Sequence, residues 1–279
     1  MAPSVFATRP VPKASLGLLL HPERDAEYRH FEVVFADPSM PPQPASTAAP
    51  FDHAAAGHSP VNAWWLSEAA LLSYWDPAGA DVVFAERAGL RTRFIDVDST
   101  QCYVAWNDSV AIVAFRGTEA DQPLDLLTDI NIVPVDWPQG GHVHLGFVSA
   151  LDSVWTEVIA ILQTTHARPW FTGHSLGGAL ATLAADRHGN PGGVYTFGSP
   201  RVGDDAFAQG FARRHPRRSF RYVNGEDAVA KVPWLFSHVE HETRLSAPEE
   251  RTLLPDALID HTPRRYATLV WNSLAAAVS

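Results

Sequence analysis

Apolar and polar positions divide the chain near residue 60. Pro38–Pro60 is rich in Pro, Ala and Ser without a sustained period, which predicts an extended strap or linker. From Asn62 the spacing turns helical, with Trp64, Trp65, Ala69, Leu72 and Trp75 on one stripe and Asn62 placed as the cap. Val82–Phe84, Arg91–Val97, Gln101–Trp106 and Val110–Phe115 alternate or run apolar between Asp, Asn, Ser and Gly turns, as strands do. Beyond Val148 the pattern becomes helix, strand, helix, strand. Leu151, Val154, Val158, Ile161 and Leu162 form a helical stripe, and Phe171 ends a short apolar run. Leu176–Arg187 follows as an Ala/Leu helix, then Val194–Phe197, Asp205–Arg214, Ser219–Val223 and a closing helix over Tyr266–Val278. Strands alternating with helices predict an α/β fold whose mainly parallel sheet is covered on both faces.

Composition narrows what such a fold can do. The 279 residues are 46% hydrophobic, enough for one large core. A formal charge of -10 with no basic stripe argues against a nucleic-acid partner and against docking on an anionic membrane. Weak contact with a neutral lipid surface is left open by charge. The single cysteine, Cys102, has no intrachain disulfide partner and reads as a small buried residue on a strand. Leu16–Leu20 is too short for a signal-peptide core, and no stretch of about 18 apolar residues predicts a transmembrane segment. The expected compartment is therefore the cytoplasm by default, with export by an unrecognised route left open. Nothing in the pattern sets an oligomeric state.

The chemistry concentrates at Gly173-His174-Ser175-Leu176-Gly177, between the Trp170–Thr172 run and the Ala/Leu helix. A serine between glycines at a strand-to-helix turn is held on a sharp bend, its hydroxyl standing proud of the sheet. The helix that follows aims N–H groups and its positive dipole end at any oxyanion forming there. A base and an acid should come from other strand ends, where α/β sheets gather their active groups. Asp227, in the turn after Val223, serves either as that acid or as an ordinary turn residue, while Asp204 and Asp205 suit a helix cap. His238 and His241, within Phe236–His241 that reads as a strand with a polar flank, and then His261 follow in chain order. Of these, His261 is favoured by its place in a loop before the last helix. Val110–Phe115 ends in Arg116-Gly117-Thr118, whose Thr118 N–H could join that of Leu176 in a two-donor oxyanion hole; Arg116 reads as a structural ion-pair partner.

Several segments together resemble the class 3, fungal-lipase-like branch of the α/β-hydrolases. They are Ala114–Thr118, Val143–Phe147, Thr172–Gly178, Thr196–Gly203, Arg221–Asn224 with Asp227, Val229 and Pro233, then His238-Val239 and Asp260-His261. The resemblance implies an α/β-hydrolase domain over 61–279, preceded by an extension or strap over 1–60. It implies Ser175 as nucleophile, Asp227 as acid, His261 as base, and Thr118 with Leu176 as the oxyanion hole. His238 falls on the family's structural histidine. His144 falls in a Val-His-x-Gly-Phe motif, which removes His142 and His144 as metal ligands. In this family the segment after Arg-Gly-Thr forms a lid. Here Leu124/Leu127 and Leu126/Ile130 pair at helical spacing over Glu119–Ile132, as the apolar, acyl-facing side of a short helix. Glu119, Asp121 and Asp125 make that segment acidic. The implied activity is lipase action on acylglycerol or other small esters. Short-chain or polar esterase and phospholipase A1 activities are the alternatives within enzymes, and a non-catalytic interaction protein is the alternative outside them. No metal or organic cofactor is required.

Overall fold

A computed structural model of the protein describes residues 50–118, 133–225, 227–239, 242–245 and 261–278. Its elements run α1 (Pro60–Leu72), α2 (Pro77–Ala88), β1 (Arg91–Val97), β2 (Thr100–Trp106), β3 (Ala111–Phe115), β4 (Pro134–Asp136) and β5 (His142–His144). They continue α3 (Leu145–Leu162), β6 (Pro169–His174), α4 (Leu176–His188), β7 (Gly193–Phe197), α5 (Asp205–Arg214) and β8 (Ser219–Asn224). A short 3₁₀ turn (Val229–Lys231), β9 (Glu242–Leu245) and α6 (Pro263–Val278) complete the chain.

Seven strands form one sheet in the order β1-β2-β3-β6-β7-β8-β9. β1, β2 and β3 pair antiparallel, and every pairing from β3 to β9 is parallel. The parallel strands β3, β6 and β7 are buried at every position, as strands covered on both faces must be. One face packs Val113, Phe115 and Phe171 against Leu151, Val154 and Val158 of α3 and Leu180, Leu183 and Ala184 of α4. The other packs Tyr103, Ile112, Trp170 and Tyr195 against Trp64 and Leu66 of α1 and Leu269, Val270 and Leu274 of α6. Phe115 pairs with Gly173 and His174 with Phe197, so the carboxyl ends of β3, β6 and β7 lie level, and the site is built there. Cys102 is free and buried on β2.

β4, β5 and β9 fall where no strand was expected, and three further expectations are changed. Val82–Phe84 lies inside α2 rather than in a strand. Asp76 caps that helix by accepting from Gly79 N, Pro77 opens it and Gly89 stops it at φ 62°, so end signals prevail over a three-residue apolar run. The cap of α1 is Ser59, whose hydroxyl accepts from Asn62 N at 3.3 Å; Asn62 instead clamps Asp52 through both its side-chain amide groups. The possible strand over 236–241 reduces to an isolated bridge between Ser237 and Gly203, with 240 and 241 outside the described residues.

The end of the proline-rich segment is not free of the domain. Phe51 stands edge-on to Trp170 at 5.1 Å, Arg218 donates to Ala55 O, and His58 Nε2 lies 2.6 Å from Tyr222 Oη. Among the described residues, α3 alone is long and apolar enough, by length and composition, to cross a membrane. Its buried Phe147, Leu151, Val154, Val158 and Leu162 face the sheet and α4, which is how a core-covering helix uses such a stripe.

Candidate active site

Ser175 occupies φ 56°, ψ −131°, a conformation that side chains rarely adopt and that costs about 1–3 kcal/mol. The surrounding packing imposes it. β6 runs straight into α4 with only Ser175 between them, and Ser175 N donates to Phe197 O at 3.0 Å. A Cβ on Gly173 would lie 2.3 Å from the Gly177 carbonyl, and one on Gly177 would lie 2.1 Å from Phe115 O. The two glycines therefore permit the strand, the helix and the end of β3 to converge beneath the serine. Ser175 itself is 2% exposed.

His261 Nε2 lies 2.9 Å from Ser175 Oγ, and His261 Nδ1 lies 3.0 and 2.9 Å from the two Asp227 oxygens. A carboxylate can only accept, so the ring proton sits on Nδ1 and the Nε2 lone pair faces the serine hydroxyl. Asp227 is fully buried and receives two further donors, Val229 N at 2.9 Å on Oδ1 and the Tyr266 hydroxyl at 2.6 Å on Oδ2. The Tyr266 oxygen in turn accepts from Asn224 N at 2.9 Å, which fixes the direction of its proton. Gly198, at φ 60°, lets the end of β7 touch this group: a Cβ there would lie 2.7 Å from Asp227 Oδ2 and 3.1 Å from His261 Nδ1.

Behind the serine, His174 holds the backbone of His261. Its Nε2 lies 2.6 Å from His261 O and its Nδ1 2.9 Å from Tyr74 Oη, with the two imidazoles 4.6 Å apart. A carbonyl only accepts, so Nε2 carries the proton and Nδ1 accepts from Tyr74. Burial, reinforced by the neighbouring His261, keeps the His174 ring well below the usual histidine range and hence neutral. Burial likewise pushes the Tyr74 hydroxyl up, so it remains a donor.

Leu176 N–H is the first amide of α4 and has no acceptor within the helix. Gly117 abuts the serine, since a Cβ there would lie 3.1 Å from Ser175 Cβ; half-buried Thr118 follows directly. Leu124, Leu126, Leu127 and Ile130 lie outside the described residues, as do Glu226, His241 and Asp260.

Other groups weighed from the sequence take structural places. His238 Nε2 donates to Ala230 O at 2.6 Å, and burial, with Arg221 nearby, holds its pKa down to about 4. His144 caps α3 by accepting from Gly146 N at 3.0 Å. His142 bridges Asp204 at 2.8 Å and Asp136 at 3.2 Å, while Asp204 caps α5. Arg116 donates to Gln101 Oε1 and lies over the Tyr74 ring.

Tyr266, His174, Tyr74 and Gly198 were not assigned site positions from the sequence. His174 sits inside the pentapeptide, and Tyr266 five positions after His261 at the buried start of α6. The Tyr266 contact is testable. Tyr266→Phe removes a donor from Asp227 and strands the Asn224 amide, so stability should fall by about 1–3 kcal/mol. Turnover should fall roughly tenfold with KM little changed, because the loss acts on the histidine's orientation. Denaturant melts and steady-state kinetics on the purified variant check both.

A strained serine elbow, a histidine–carboxylate pair reaching it and a mainly parallel sheet with helices on both faces define the α/β-hydrolase fold. The class 3 lipase family model matches residues 112–237, just under half of the chain. The secreted mono- and diacylglycerol lipase 1 of Fusarium solani is 41% identical over 106 residues, covering 35% of this chain and 32% of its own. A lipase of Rhizomucor miehei is 36% identical over 152 residues, 48% of this chain and 41% of its own. Among solved structures, Rhizomucor miehei triacylglyceride lipase aligns with TM-score 0.56 and 26% identity over 65% of this chain and 78% of its own. The chain spans about a third to under a half of the length of these curated relatives.

One expectation is corrected by these relatives. Several are named as secreted lipases, from Fusarium, Malassezia and Penicillium, which points outside the cell rather than to the cytoplasm. A lone cysteine packed at 0% exposure on β2 fills core volume, and that role is the same in either redox environment.

Proposed function

We propose that the protein is a serine carboxylic-ester hydrolase that cleaves acylglycerols through an acyl-enzyme, its working domain running over 61–279 behind an N-terminal extension. The reading is carried by the unbroken hydrogen-bonded series Asp227–His261–Ser175 on a strained elbow. His261 Nε2 takes the Ser175 proton as Oγ attacks the ester carbonyl, and the developing oxyanion is held by the Leu176 and Thr118 amides. Collapse of the tetrahedral species breaks the ester C–O bond, and His261 returns the proton to the departing alcohol. Water then enters by the same route in reverse, with His261 as base, and releases the carboxylic acid. Asp227 keeps the ring in the Nδ1–H tautomer throughout and stabilises the imidazolium as it forms. The residues require neither a metal nor an organic cofactor for these steps.

Acylglycerols are favoured as substrate by the mono- and diacylglycerol lipases among the relatives and by the leucines of 119–132, which suit a cover over an acyl chain. The acidic residues Glu119, Asp121 and Asp125 favour short or polar esters as the second reading. A p-nitrophenyl ester series of rising chain length, run beside emulsified mono-, di- and trioleoylglycerol and phosphatidylcholine, separates them. The lipase reading expects kcat/KM to hold or rise at long chains and glycerides to be hydrolysed. Activity confined to short chains supports the esterase, and preferential hydrolysis of phosphatidylcholine supports phospholipase A1.

A further inference from the structure

Large apolar side chains reach solvent along one rim. Among the described residues, the exposed large hydrophobics are Val133, Leu145, Trp234 and Leu235, at 44, 40, 76 and 55% exposure. Although about a hundred residues separate the first from the last, main-chain hydrogen bonds link their segments side by side. Leu145 N donates to Val133 O at 2.9 Å, His144 N to Val202 O at 3.3 Å and Arg201 N to Val232 O at 2.8 Å. Two of these segments follow in sequence on the strand ends that carry the triad. Arg201 is three residues beyond Gly198, and Trp234 is seven beyond Asp227. Single exposed hydrophobics are ordinary; a set gathered on neighbouring segments marks a surface that is covered in use.

The turn bearing Trp234 is firmly built. Phe236 N donates to Pro233 O at 3.1 Å and Ser237 N to Gly203 O at 2.7 Å, while the Arg201 guanidinium donates to the Trp234 and Phe236 carbonyls at 3.3 and 3.4 Å. The inward place beneath the turn belongs to Phe236, 5% exposed, so the indole has its backbone fixed facing outward. An amphipathic ring held in this way suits the boundary of a lipid phase, its apolar body among acyl chains and its N–H among ester carbonyls.

We propose that Trp234 and Leu235, flanked by Val133 and Leu145, form a rigid anchor that seats the protein on an uncharged or zwitterionic lipid surface with the strand ends facing the lipid. The formal charge of -10 opposes an anionic surface, which leaves the apolar contact to supply the affinity. The anchor rests on the acylglycerol reading and gives it a geometry: the substrate phase meets the protein at the rim from which Ser175 is reached.

The test uses the full chain carrying Ser175→Ala, so that binding is read without turnover, in flotation with phosphatidylcholine vesicles. Adding Trp234→Ser and Leu235→Ser should weaken partitioning at least about tenfold, or about 1.4 kcal/mol. Trp234→Phe alone should keep binding within about threefold, and raising salt to about 0.5 M should leave it unchanged because apolar contact is not screened. With Ser175 restored, the double variant should hydrolyse soluble p-nitrophenyl acetate at the parent rate and emulsified glyceride more slowly. Equal flotation of parent and double variant would overturn the anchor. So would a self-association that the double substitution abolishes while vesicles bind neither protein. Failure of ester hydrolysis by the parent would count against the activity alone, since flotation is read independently.

Discussion

Replacing Ser175 by alanine should reduce turnover on any ester substrate by about 10⁴–10⁶ while leaving the fold intact. The size follows from what is lost. On the proposed mechanism, removing Oγ abolishes the acyl-enzyme and leaves a residual rate from water attacking a carbonyl polarised by the Leu176 and Thr118 amides. Stability should hold or rise, because alanine keeps the Cβ that the elbow accommodates and the serine hydroxyl contributes one hydrogen bond, to His261. Circular dichroism with initial rates on p-nitrophenyl esters checks both parts. A folded variant with parental activity would remove Ser175 from the chemistry.

His261→Ala should be nearly as severe, about 10⁴–10⁶, and combining it with Ser175→Ala should add little, since nucleophile and base act as one unit. The informative comparison is His238→Ala. That ring is held by the Ala230 carbonyl and is kept uncharged by burial beside Arg221, so its loss should reduce stability by about 1–3 kcal/mol and activity by less than about tenfold. A folded His238 variant without activity, beside an active His261 variant, would exchange the two assignments. Far-ultraviolet spectra and melting midpoints of all three proteins guard against misreading an unfolded sample.

Much of this architecture was legible in the sequence because local and global signals agree. β3, β6 and β7 are short, wholly buried runs ended by turns, α3 carries an apolar stripe and α4 an Ala/Leu interior. The elbow was legible for a different reason: Gly173 and Gly177 are required by contacts of 2.3 and 2.1 Å that any side chain would violate. Val82–Phe84 was misread because three apolar residues fit a strand or a buried helix turn equally well, and the decision lay in Asp76, Pro77 and Gly89 outside the run. Tyr266 and His174 escaped notice for a third reason. Their partners, Asp227 at 2.6 Å and the His261 carbonyl at 2.6 Å, lie 39 and 87 positions away, and periodicity carries no information about such pairs. The compartment was misjudged because a short apolar run at Leu16–Leu20 and a lone cysteine decide nothing about export, whereas the names of the relatives supply a positive finding.

The central claim is that Ser175 is an activated nucleophile, and a fluorophosphonate probe interrogates it without assuming a substrate. Attack by Oγ on phosphorus expels fluoride and leaves a stable phosphonyl-serine, which tryptic peptide mass spectrometry can locate. The protein contains several serines, Ser153, Ser199 and Ser237 among them, that a non-specific reaction could also reach. The expected result is stoichiometric, time-dependent labelling at Ser175, lost in His261→Ala and retained in His238→Ala. No labelling of the folded protein, or labelling spread over other serines with Ser175 unmodified, would contradict the account.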